Sequence, residues 1–213
     1  MARKKAATVT AAQSIYSVHP GVQMVMNWVA TLKEKTGRTL DEWIAFIRKE
    51  GPDDMAARRQ WLKETCHLGT NTAGWLAERA DGQPTWDESP EAYLAIAPKY
   101  VDDMFSGGKA GLRPIYEELL KLGRSLGEDV KFCPCQTIVP FYRNHVFAQV
   151  KPATRTRLDF GLALGDTPAT GKLIDTGGFK KKDRITHRFA LSSVADIDAE
   201  VKGWLRVAYD RDA

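Results

Sequence analysis

VKPATRTRLDFGLALG, Val150 to Gly165, carries the pattern that decides the fold. From Thr154 onward the residues alternate. Thr154, Thr156, Leu158, Phe160, Leu162 and Leu164 fall on one side, and Arg155, Arg157, Asp159, Gly161 and Ala163 on the other. A period of two puts successive side chains on opposite faces, so the stretch reads as a half-buried strand. RITHRFALS (184–192) sorts the same way, with Ile185, His187, Phe189 and Leu191 expected inside and Arg184, Thr186 and Arg188 outside. DVKFCPCQTIV (129–139) and FYRNHVFAQV (141–150) complete a set of four expected strands. Arg143 to His145 fit either a hairpin turn or the middle of a longer strand.

Upstream the period is 3.6. Val22, Val25, Met26, Val29 and Leu32 mark one face of a helix that Pro20 opens and Gly37 closes. Leu40, Trp43, Ile44 and Ile47 follow Thr39 and Glu42 in capping-box spacing, where each side chain satisfies an orphan backbone donor. Pro52, Asp53 and Asp54 open a third helix with Gly69 as its expected C-cap, and Thr70 or Asn71 caps a fourth over roughly 72–80. Trp28, Trp43, Trp61 and Trp75 give each helix one large ring for a small bundle core. DGQPTWDESPE (81–91) is dense in turn formers and reads as a boundary. A helical stretch from Ser89 is expected to break at Pro98 and again at FSGGK (105–109). Leu112, Ile115, Tyr116, Leu119, Leu122 and Leu126 then line a longer helix. A last one, capped by Ser193 with Asp196 behind it, turns Ile197, Val201, Trp204, Leu205 and Ala208 inward.

Strands grouped between helices predict an α+β fold. The expectation is a small N-terminal helical bundle plus a C-terminal, mostly antiparallel four-stranded sheet flanked by helices. Its parts are a flexible basic arm over 1–19, the bundle over 20–80, a linker over 81–89 and the α+β domain over 90–213.

Charge is uneven. The 213 residues sum to +4, yet residues 131–190 hold eleven basic side chains against four acidic ones, a local +7 that leaves −3 for the rest. Three cysteines are too few for a disulfide framework, which favours a reducing compartment. The start, MARKKAATVTAAQSIYSV, lacks the continuous apolar run of a secretory signal, and no stretch approaches ~20 apolar residues. A cytoplasmic protein without membrane association is expected.

Two further stretches carry a resemblance. TGRTLDEWIAFIRKEG and QWLKETCHLGTNTAGWLA resemble a small helical domain of unknown function known mainly from bacteria. KAGLRPIYEELL, FAQVKPATRTRLDFGLAL and ITHRFALSSVADIDAEVKGWLRVAYD resemble a second uncharacterised domain that follows it in other chains. The second domain also occurs beside predicted nuclease-like domains, so the resemblance implies a nucleic-acid setting without assigning any site residue.

Several chemistries are weaker on inspection. GDTPATGKL lacks the first glycine and the final hydroxyl of a phosphate-binding loop, with Asp166 and Leu173 in their places. Cys133 and Cys135 could offer two thiolates, but His145 and His187 are the nearest further ligands, and His187 falls on an apolar face. A Cys133/Cys135/His145 nucleophilic site lacks an orienting third group. The two short helices around Gly69 invite a helix-turn-helix reading, but the second carries hardly any basic residue before Arg79. No cofactor and no metal are expected, and catalysis is the less favoured reading.

What remains is the basic face. Lys151, Arg155, Arg157 and Arg188, with the Lys180, Lys181 and Lys182 run, are the candidate nucleic-acid or anion-binding residues. Arginine and lysine neutralise phosphates without reading sequence, and Gly161 and Ala163 would leave room for a backbone above the sheet. The same residues also fit cross-strand ion pairing around Asp159 on a solvated surface. The expected function is a non-enzymatic nucleic-acid-binding or nuclease-associated accessory protein, with DNA or RNA as partner. The alternative is a protein-interaction or small-anion-binding module meeting an acidic protein or metabolite.

Overall fold

The computed structural model describes residues 14–82 and 89–213. Residues 1–13 of the expected arm and 83–88 of the expected linker lie outside the described residues. The chain divides into a helical unit, residues 19–93, and a second unit formed by residues 94–213 with the described residues 14–18.

The helical unit holds α1 (Pro20–Ala30), α2 (Leu32–Thr36), α3 (Leu40–Glu50), α4 (Met55–Glu64) and α5 (Thr70–Ala80). The single helix expected before Gly37 is thus two. Thr31 separates them, its hydroxyl donating to the Asn27 and Trp28 carbonyls and competing with the helical ladder. The Thr39–Glu42 capping box opens α3 as the spacing required, and Asp54 caps α4 by accepting from the Ala57 amide. Gly69 is not a C-cap: it stands at the N-cap of α5, which begins at Thr70. Leu32, Trp43, Ile47, Leu62, Ala73, Leu76, Ala77 and Ala80 form the core. Of the four tryptophans only Trp43 is fully buried, its indole N–H donating to Thr36 Oγ1 at 2.8 Å, while Trp28, Trp61 and Trp75 pack around the rim. Arg58 is buried as well and is satisfied by the Pro52 and Asp53 carbonyls and by Asp81.

The second unit adds α7 (Arg113–Arg124), α8 (Ala199–Asp210) and a sheet. Before them runs α6 (Pro90–Met104), within which the division between units falls. Pro98 does not break it. Leu94, Ala97, Val101 and Met104 are buried along one stripe, and that burial outweighs the hydrogen bond a proline removes. Residues 14–18 are tied to this unit, with the Ser17 amide donating to the Phe132 carbonyl and the Tyr16 and Tyr116 hydroxyls 3.1 Å apart.

The sheet has six strands rather than four: β1 (Lys131–Phe132), β2 (Val139–Tyr142), β3 (Val146–Pro152), β4 (Leu158–Leu162), β5 (Ile174–Asp175) and β6 (His187–Leu191). All neighbours are antiparallel in the order β1-β2-β3-β4-β6-β5. The first expected strand splits because the chain turns back after Cys135, whose amide donates to the Ile138 carbonyl. Residues 143–145 are a hairpin turn closed by the Arg143 amide on the His145 carbonyl. β5 is a two-residue edge, too short to leave an alternation in sequence.

One face of the sheet is the core. Val150, Leu158, Phe160, Leu162, Phe189 and Leu191 are buried there, and α8 packs on β3 and β4. On the α7 side Gly123 is obligatory for packing, since a Cβ there would stand 2.9 Å from Phe132 and 3.0 Å from Phe141. A bulge between Phe141 and Tyr142 lets Phe147 turn inward beside Phe141 and Tyr209. His187 is buried as its alternation required, but β6 starts only there. Thr186, expected outside, is buried and accepts from the Leu164 amide. Ile185, expected inside, lies over Gly161 on the outer side. Asp198 caps α8, while the Ser193–Asp196 box caps the short 3-10 turn before it.

Candidate anion-binding face

Asp159 sits near the middle of the outer face and organises the arginines around it. Arg188 Nη1 donates to its Oδ1 at 3.1 Å, and Arg157 Nε approaches the same oxygen to 2.9 Å. The second contact is electrostatic rather than well aligned, because Arg157 Nε is buried without a geometrically sound hydrogen bond. Two of the expected phosphate ligands are therefore engaged inside the protein.

Lys151 behaves differently. Its backbone register sets it directly across from Asp159, yet among the described residues its ammonium makes no ion pair or hydrogen bond. The two guanidiniums already hold that carboxylate, and their planar forks suit it better than an ammonium does. Arg155, in the turn between β3 and β4, is exposed and equally without a partner among the described residues.

Two open concavities meet at Lys151. The first, about 440 Å³, lies on the sheet face and is lined by Gln149, Lys151, Asp159, Arg184, Ile185 and Arg188 among others. Gly161 also lines it, but the room expected there is taken up in part by the chain itself: a Cβ would stand 2.6 Å from Ile185 and 3.0 Å from Gln149. Arg184 is also engaged, donating to the Val146 carbonyl and pairing with Asp212. Asp212, buried near the chain's end, accepts from the His145 amide at 2.7 Å too and faces His145 Nδ1.

The second concavity, about 560 Å³, lies at the rim and includes Ser106, Lys109, Thr137, Lys151, Pro152 and Arg155. Lys109 lies in FSGGK, where the sequence signals only a helix break. Its Nζ donates to the Pro152 carbonyl at 2.8 Å, which holds the ammonium against the β3–β4 turn. Among the described residues the one carboxylate on the lining, Asp103, is paired with Lys99.

Lys180, Lys181 and Lys182 line neither concavity. They occupy a turn between β5 and β6, with Lys182 at φ +61°, and the exposed ring of Phe179 precedes them. Thr176 and Asp183, on either side of that turn, do line the sheet-face concavity. Phe179 is an aromatic beside basic residues that alternation could not flag, because it lies in a loop.

Residues 101–212, spanning this whole face, match the model of the family described as Domain of unknown function (DUF5655). The chain belongs to the DUF5655 family. Residues 25–82 match a second one, described as Domain of unknown function (DUF4287), so the two-domain organisation expected from the sequence stands. No curated protein and no solved structure matched the chain.

The remaining candidates within the DUF5655 region have structural occupations. Burial, reinforced by the neighbouring Cys135, pushes the Cys133 thiol up to about 12 against the opposing charge of Lys131, so it is protonated at neutral pH. Cys133 and Cys135 turn their sulfurs toward the Val18 and Cys133 carbonyls, and His145 faces Asp212 instead. Lys172 of the GDTPATGK stretch pairs with Asp198 at 2.6 Å while its amide donates to Glu200, which ties the loop to the start of α8. His187 Nε2 meets the Thr167 carbonyl and Nδ1 the Thr186 hydroxyl, as a satisfied core histidine does. Among the described residues no cluster of three His, Cys, Asp or Glu side chains is placed to hold a metal. Nor, among them, is any helix long and apolar enough to cross a membrane.

Proposed function

We propose that the DUF5655 unit is a binding module for nucleic acid, engaging phosphates along the outer side of its sheet. The observation that carries the reading is the unpaired state of Lys151 and Arg155 on the rim concavity, beside a sheet face where Arg157 and Arg188 share the Asp159 carboxylate. Cations held at a surface without counter-charge attract a partner that supplies one.

Register supports an extended ligand over a small one. Lys151 and Arg155 lie at the end of the face where β3 leaves and β4 enters, whereas Lys180–Lys182 precede the start of β6 at the opposite end. The five residues of β4 span roughly 15 Å between those ends, at about 3.3 Å each. A polyanion crossing the face would meet both groups, with Phe179 available to stack on a base.

The test is fluorescence anisotropy with labelled single-stranded and duplex DNA and RNA at ~50 and ~200 mM salt. About four phosphate contacts lose roughly two decades of affinity over that range. Lys151→Ala/Arg155→Ala should weaken binding and flatten the salt slope by about two contacts, whereas Arg157→Ala/Arg188→Ala should change it far less. No binding at low salt, or equal losses in the two double variants, overturns the reading.

A further inference from the structure

The rim concavity collects cations more densely than an internal phosphodiester requires. Among the described residues three segments wall it: residues 103–109 from the end of α6 onward, Gln136 and Thr137 in the β1–β2 turn, and Lys151 to Arg155. Its 560 Å³ falls in the size range of small-ligand sites. Lys109 is fixed there by the Pro152 carbonyl and keeps two further ammonium protons for a ligand. Arg155 is placed by Gly108. Its Cδ and Cγ lie 3.1 and 3.2 Å from where a Cβ would stand, so the glycine lets the arginine stem run along the backbone.

Charge then selects the ligand. Lys109, Lys151 and Arg155 stand on one lining, and its only carboxylate among the described residues, Asp103, is held by Lys99. A phosphodiester carries one negative charge, whereas a phosphate monoester near pH 7 carries ~1.5 to 2 and three strong acceptor oxygens. The monoester matches three donors from three cations and relieves their mutual repulsion more completely. The geometry points to this concavity as a binding site for a terminal phosphate monoester, held by Lys109, Lys151 and Arg155. The inference rests on the nucleic-acid reading only for what bears the phosphate, since a polynucleotide end and a free phosphomonoester present the same group.

The experiment compares internally labelled oligonucleotides that end in a phosphate with the same strands ending in a hydroxyl, against the full chain. A terminal phosphate should tighten binding ~10-fold, the worth of one or two charge-assisted hydrogen bonds. Lys109→Ala and, separately, Arg155→Ala should abolish that gain, and circular dichroism should show both variants folded. Equal affinity for the two kinds of end, or a gain that survives both substitutions, overturns the site while leaving the nucleic-acid reading standing. If neither oligonucleotide binds, the melting temperature in inorganic phosphate against chloride at matched ionic strength decides. A rise that Lys109→Ala removes keeps the site and sinks the polynucleotide reading. No such rise sinks both.

Discussion

On the outer side of the sheet, Arg157 and Arg188 converge on the Asp159 carboxylate, while Lys151 and Arg155 beside them meet none. Arg155 and Arg157 even share the β3–β4 turn, with Lys151 on β3 and Arg188 on β6. In the first pair, one carboxylate engages both guanidiniums and offsets one of their two charges, while Ile185 lies over the adjacent glycine. In the second, Lys109 arrives from 43 residues before Pro152, whose carbonyl it meets, and adds charge instead of cancelling it. A basic stretch of sequence therefore says how many cations are present, and their carboxylate partners say which ones remain available. This also explains why a local charge of +7 overstates the attraction of the sheet face.

Three substitutions or conditions would break or sharpen this contrast. The largest effect is expected from Gly161→Val. Its Cβ would stand 2.6 Å from Ile185, and overpacking of this kind costs about 3 kcal/mol, read as a lowered urea midpoint by far-UV circular dichroism. An unchanged midpoint would mean that Ile185 does not close the face. Asp159→Asn should cost about 1–2 kcal/mol by leaving two guanidiniums crowded without their anion. It should simultaneously tighten oligonucleotide binding, because Arg157 and Arg188 become available. Weaker binding by this variant would contradict the division into paired and unpaired cations.

The smallest effect concerns acid. Backbone amides of Ser192 and Ser193 hold the Asp196 carboxyl below its usual 3.8, and Lys172 does the same for Asp198. A carboxyl lowered by folding contributes stability above its unfolded value, and that contribution is lost as pH falls through the folded one. Urea midpoints should therefore be flat from about pH 7 to about pH 5 and decline below about pH 4. A midpoint that falls above about pH 5 would point to other titrating groups.

Legibility followed the range of the forces involved. Capping at Thr39 and the alternation from Leu158 to Leu162 are local, and each stands where the sequence places it. The expected strand residues before Leu158 are a turn, and of the two readings left open for 143–145 the hairpin turn is the one formed. Errors arose where a neighbour outside the window intervened. Pro98 is carried through a helix by a buried stripe, and Gly69 caps the start of α5 instead of the end of α4. Ile185 and Thr186 exchanged faces because β6 begins later than its alternation suggests, with Thr186 drawn inward by the Leu164 amide. Of the candidate site, Lys151 and Arg155 were legible. Lys109 was not, since no periodicity connects residue 109 to residue 152.

By itself the sequence determined an α+β chain of two domains, a helical period giving way to an alternating one, and a concentration of positive charge in the second. Only the tertiary structure decided that Arg157 and Arg188 belong to Asp159, that Ile185 occupies the space over Gly161, and that Lys109 joins Lys151 and Arg155 at the rim. The reason is physical. Secondary structure reports steric and hydrogen-bonding preferences within a few residues, whereas the availability of a charge depends on what the fold sets within about 4 Å of it.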